Sequence, residues 1–105
     1  MAVRVNRDNF EEEVLKSETA VLADFYSDSC VPCKRLLPVL AEIEEEFPDK
    51  IKTVKINVNF DGEIAEKYDV QAAPTLIFFK DGKEVSRLRG AVRKSDIVGA
   101  INNLQ

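Results

Sequence analysis

Residues 21–40 read VLADFYSDSCVPCKRLLPVL, and two periodicities meet inside them. Residues 21–26 form a mostly apolar run, the pattern of a strand covered on both faces. Further on, Leu36, Leu40, Ile43 and Phe47 fall at helical spacing, which predicts a helix from the cysteines to about residue 47. Pro38 lies inside that helix, removes one backbone hydrogen bond and is expected to kink it. The only two cysteines of the chain, Cys30 and Cys33, stand at the change from strand to helix.

Reading outward, a short strand is expected at residues 2–5 and a helix at residues 9–17. Asp8 is placed to cap that helix, with Glu11 reaching back in the capping-box pattern, and Phe10, Val14 and Leu15 give it one apolar face. KTVKINV at residues 52–58 alternates Val54, Ile56 and Val58 with Lys55 and Asn57, a strand pattern. A short helix is expected over residues 62–68, capped by Asp61. TLIFF at residues 75–79 reads as a buried strand, Asp81-Gly82 as a hairpin turn, and residues 85–89 as the returning edge strand. Ile97, Ala100, Ile101 and Leu104 mark a closing amphipathic helix over residues 95–104. This order predicts an α/β domain over residues 1–105, a central mixed sheet with helices on both faces. Neither a repeat nor a low-complexity linker interrupts it.

Charge and hydropathy narrow the functional classes. The net charge is −4, with acidic runs at residues 11–13 and 44–46 that read as solvated helix surface, so no nucleic-acid partner is expected. A milder basic bias (Lys80, Lys83, Arg87, Arg89, Arg93 and Lys94) reads as surface first and partner contact second. No secretory leader opens the sequence and no apolar run approaches membrane-spanning length, so a cytoplasmic location without a membrane partner is expected. In a reducing compartment a lone cysteine pair is a poor structural staple, and the short loop it closes would constrain little of the unfolded chain.

A Cys-x-x-Cys after a buried strand and at a helix start favours redox chemistry. The helix N-terminus offers unpaired N–H groups and the positive end of its dipole, and both stabilise a thiolate. Cys30, expected to be the more exposed, is the natural nucleophile, and Cys33 one turn further in is placed to resolve a mixed disulfide. Pro32 is tolerated in the first turn and stiffens the loop between the sulfurs. Zinc needs about four ligands, whereas the chain has two cysteines and no histidine, so no metal and no other cofactor is expected. Two merely buried cysteines remain the bland alternative. Strand alternation puts Asp24 with Leu22 and Tyr26 on one face. Buried there, its carboxyl would resist ionising and exchange a proton with Cys33, with Lys55 as its partner. Spacing alone leaves an ordinary aspartate at the sheet rim equally open.

ADFYSDSCVPCK, the KINV strand, AAPT, the FFKDG hairpin and RGAV occur in an order and spacing that resembles the thioredoxin family over the whole chain. The resemblance implies that fold and a protein-disulfide reductase working through a reversible Cys30–Cys33 couple. It makes Cys30 the attacking and Cys33 the resolving cysteine, and it gives Asp24 the buried proton-transfer role with Lys55 beside it. Pro74 is implied to be cis and to lie against the cysteines, with the Ala73 backbone pairing an extended substrate segment. Gly90 and Ala91 would line the same groove, Val58 its edge, and Ser29, Val31 and Pro32 the surface around the sulfurs. Disulfide-containing client proteins and a thioredoxin-reductase-type electron donor are the implied partners, and a monomer is expected. The chain departs from the family at Ser29 and Val31, where Trp and Gly are usual, and at Tyr26, where Trp is usual; it has no tryptophan. A large apolar contact for clients and reductase is thereby lost. Two other readings are a binding subunit of this fold with incidental cysteines and a more oxidising disulfide oxidase or isomerase.

Overall fold

A computed structural model describes residues 2–90 and 92–104. Five strands, β1 (Val3–Arg4), β2 (Ala20–Tyr26), β3 (Ile51–Asn57), β4 (Thr75–Lys80) and β5 (Lys83–Arg89), form one sheet in the order β1-β3-β2-β4-β5. β1, β3 and β2 run parallel, while β4 and β5 run antiparallel to their neighbours, so the sheet is mixed as expected. Helices α1 (Val31–Glu46), α2 (Gly62–Lys67) and α3 (Lys94–Asn102) cover it.

Strand alternation sorts the core into two layers. Val21, Ala23 and Phe25 of β2 join Val54, Ile56, Ile77 and Phe79 on the face covered by Ile64 and Ala65 of α2. Leu22 points the other way and packs with Leu76 and Phe78 under Leu36, Leu40 and Ile43 of α1 and Ile97 and Ile101 of α3. With β3 and β4 on either side and a helical layer on either face, β2 is enclosed on every side, which is why residues 21–25 are all buried.

The hairpin turn is as the sequence predicts. Asp81 and Gly82 both take positive φ, 54° and 79°, the pairing that matches a two-residue turn to the twist of its strands. Three local expectations are corrected. The helix expected over residues 9–17 is a π-helical turn at Glu11–Leu15, in which the Lys16 N–H donates to the Glu11 carbonyl at 2.8 Å. Its entry is organised by Asn6 rather than Asp8: Asn6 Oδ1 accepts from the Asp8 and Asn9 N–H groups, while Asn9 Oδ1 accepts from the Asn6 N–H. Glu11 pairs with Lys16 instead of reaching back. Asp61 does occupy the N-cap of α2, but its backbone carbonyl, not its side chain, accepts the first helical N–H groups.

Candidate active site

Cys30 and Cys33 are joined as a disulfide, with their Cα atoms 5.2 Å apart. They lie beyond the C-terminal end of β2, where the chain turns into α1. Cys30 is the N-cap residue, and its sulfur takes the part usually played by a hydroxyl or carboxylate oxygen, accepting the Cys33 N–H at 3.1 Å. That donor and the dipole of a long helix both face the Cys30 sulfur. Pro32 occupies the first turn at no hydrogen-bond cost. Cys30 is 9% exposed and Cys33 4%, so the expected difference in access is small and the rim is instead formed by exposed Ser29, Val31 and Pro32.

The structure decides the position of Asp24. It is 1% exposed, and burial pushes its carboxyl up to about 7, an effect opposed by the positive charge of Lys55. Lys55 is its register partner across β2 and β3, but no ion pair closes between them among the described residues. The Lys55 ammonium instead lies 5.4 Å over the Tyr26 ring. Asp24, Cys33, Lys55, Tyr26, Asp28 and Leu37 line one cavity of about 180 Å³. The three groups singled out for proton and sulfur chemistry therefore share one small space.

The Ala73–Pro74 peptide is cis. β2 pairs Phe25 with Thr75, which brings this peptide to the cysteine end of the sheet, and the Gly90 N–H donates to the Pro74 carbonyl at 3.2 Å. Pro74 is buried, Ala73 half-buried and Gly90 exposed with φ 76°. Val58 is half-buried, packs against the α2-side core and donates its N–H to the Tyr26 carbonyl at 2.9 Å. Ala91 lies outside the described residues.

Sequence reading missed a ring of side chains at this end. Asn57, 2% exposed at the end of β3, donates from Nδ2 to Asp28 Oδ1 at 2.9 Å and accepts the Asn59 N–H at 2.8 Å. Asn59 Oδ1 accepts the Asp28 N–H at 3.1 Å, closing the ring. The segment leading into Cys30 is thus tied to the loop after β3. The available signal was Asn57-Val58-Asn59, turn-forming residues ending a strand parallel to the one that delivers the cysteines.

A disulfide at a helix N-terminus, beyond a central strand and backed by a buried carboxyl, defines a thiol–disulfide oxidoreductase. The thioredoxin family model matches residues 1–103. Thioredoxin of Rickettsia bellii is 39% identical over 103 residues, 98% of each chain. Thioredoxin 1 of Synechococcus elongatus is 36% identical over 102 residues, 97% of this chain and 95% of that one. The chloroplastic M-type thioredoxin of Chlamydomonas reinhardtii is 40% identical over 97 residues, 92% of this chain and 69% of that one. The chain belongs to the thioredoxin family, and its activity is the reduction of protein disulfides. Client proteins bearing disulfides and a recycling reductase are the partners that membership implies in general.

Proposed function

We propose that Cys30 is the attacking sulfur and Cys33 the resolving one, with Asp24 as the proton carrier. The Cys30 thiolate attacks one sulfur of the client disulfide; that bond breaks, a mixed disulfide forms and the first client thiolate leaves. Asp24 takes the proton of Cys33, whose thiolate attacks the Cys30 sulfur. The Cys30–Cys33 bond forms, the mixed disulfide breaks and the second client thiolate leaves. The client has gained two electrons and the cysteine pair has lost two; each client thiolate is then free to take up a proton, and a separate reductase restores the dithiol. The observation that carries this reading is the single cavity shared by Asp24, Lys55 and Cys33. A carboxyl held near 7 both accepts and releases a proton at neutral pH.

The extended client segment lies along Ala73 beside the cis-proline, with Pro74, Gly90, Ala91 and Val58 around it and Ser29, Val31 and Pro32 meeting it near the sulfurs. The resemblance to the family supports this, as does the hydrogen bond that holds Gly90 to Pro74. Carriage of electrons from a reductase to clients suits the cytoplasm. Full-length likeness to bacterial thioredoxins supports that location, and no helix among the described residues is long and apolar enough to cross a membrane. The test is reduction of a protein disulfide by two variants. Cys30→Ser should be inactive, and Cys33→Ser should accumulate a mixed disulfide with the client; activity in Cys30→Ser would overturn the assignment.

A further inference from the structure

Five of the six basic residues near the C-terminus separate into two groups in the fold. Lys80 donates to the Leu104 carbonyl, Arg87 to Glu84 and, at 2.8 Å, to the Tyr68 carbonyl, and Lys94 to Glu42 and Glu46. Those cations are used internally. Arg89 is not: it has no carboxylate partner among the described residues, and it pairs in register with Thr75, beside the cis-proline. Arg35 of α1 is likewise without a carboxylate partner among the described residues. Arg93 makes only a loose contact, Nε 3.7 Å from Asp96, with its side chain 81% exposed. Such a contact leaves the guanidinium available.

Arg35 and Arg93 frame a cavity of about 220 Å³ whose walls are Leu36, Val39 and Val92 and which reaches Pro32 and Gly90. Through Pro32 it adjoins the cysteines, and through Gly90 it adjoins the cis-proline. An apolar pocket with arginines on either side suits one aliphatic side chain next to a carboxylate, because guanidinium groups match carboxylates with two parallel hydrogen bonds. Among the described residues the one carboxylate paired with either guanidinium is Asp96, at 3.7 Å from Arg93 Nε, while Arg35 has none. A chain of net charge −4 therefore places two guanidinium groups without a close carboxylate beside the proposed client surface.

We propose that the cavity between Arg35 and Arg93 selects client disulfides whose flanking segment carries an aliphatic residue next to an acidic one. The proposal rests on the reading of Cys30 and Cys33 as the exchanging pair and names the clients it prefers. Exposed charges of this kind act through encounter and orientation more than through tight binding, so the preference belongs in kcat/KM and weakens with salt.

Two disulfide-linked peptides test it, alike except that Glu-Leu precedes the cysteine in one and Lys-Leu in the other. The acidic peptide should be reduced with kcat/KM about 3- to 10-fold higher at low salt, approaching parity near about 0.5 M salt. In the Arg35→Gln/Arg93→Gln variant the ratio between the peptides should fall to about two-fold or less, and in Arg35→Glu/Arg93→Glu it should invert. Equal rates for the two peptides with the parent, or an undiminished ratio in the variants, would overturn the proposal. Binding of the same peptides with Ser in place of Cys, followed through the Gly90 and Val92 amide resonances, decides the point without turnover. If neither peptide is reduced, the exchange reading fails, and stronger perturbation by the acidic peptide would still uphold the pocket. Equal or absent perturbation would overturn it.

Discussion

Asp24 and Lys55 stand opposite one another in the parallel pairing of β2 and β3, yet Asp24 Oδ1 has no hydrogen-bond partner among the described residues. The lysine is near enough to favour the carboxylate and too far to replace the water lost on burial. Desolvation therefore wins, and the carboxyl is held near 7. A closed ion pair would have fixed the charge; the open geometry leaves a group that can change protonation during the exchange.

Stability should fall as pH rises through the same window. The folded chain holds the Asp24 proton up to about 7, whereas the unfolded chain releases it near 3.8, so the folded state binds more protons between those values. Its contribution is fully present below about pH 4 and is lost as pH rises through 7. At about 1.4 kcal/mol per pH unit, the loss is roughly 4 kcal/mol. Urea unfolding at pH 5 and pH 8 checks it: the parent should lose stability between them, and Asp24→Asn should lack this component of the loss.

Lys55→Gln removes the charge that opposes burial. The Asp24 carboxyl should then titrate above its present value near 7, and resolution of the mixed disulfide should need higher pH. Carboxyl chemical shifts across pH read the first effect. An unmoved titration would mean that the Lys55 charge is screened at the cavity.

Asn57→Ala breaks the ring that holds the approach to Cys30, removing a bond to the Asp28 carboxylate and one from the Asn59 N–H. With the site 2% exposed, roughly 2–3 kcal/mol of stability should be lost. Asp28→Asn keeps an acceptor for Asn57 and should cost less. Chemical denaturation separates the two.

Glycine substitutions divide by backbone conformation. Gly82 has φ 79°, and a Cβ there would stand 3.0 Å from the Leu15 carbonyl oxygen, so Gly82→Ala should destabilise by roughly 1–3 kcal/mol. Gly62 has open space around the same position and no positive φ, and Gly62→Ala should stabilise by roughly 0.4–1 kcal/mol. Thermal unfolding of both variants compares them directly.

Truncating Phe78, fully buried between β4 and the α1 and α3 layer, should cost roughly 3–5 kcal/mol. The same change at Phe60, 70% exposed, should cost little. Denaturation midpoints distinguish a core position from a surface one.

Periodicity determined much of this protein. The run at residues 21–26, the helical spacing of Leu36, Leu40 and Ile43, and the Asp81-Gly82 turn specify their elements because alternation, helical repeat and positive φ are local properties. The placement of Cys30 and Cys33 at a strand-to-helix junction was legible for the same reason. The tertiary structure decided what depends on neighbours distant in sequence. Asp24 is buried rather than at a rim because α1 closes over the β2 face that alternation assigned to it. Asn57 belongs to the approach to Cys30 because β3 runs parallel to β2 and ends beside it. Lys80, Arg87 and Lys94 are consumed by internal partners while Arg35, Arg89 and Arg93 remain at the pocket and the cis-proline, a separation made by which chain ends and carboxylates the packing brings within reach. Local pattern sets which residues face inward; only the register and layering of the elements set what each one meets there.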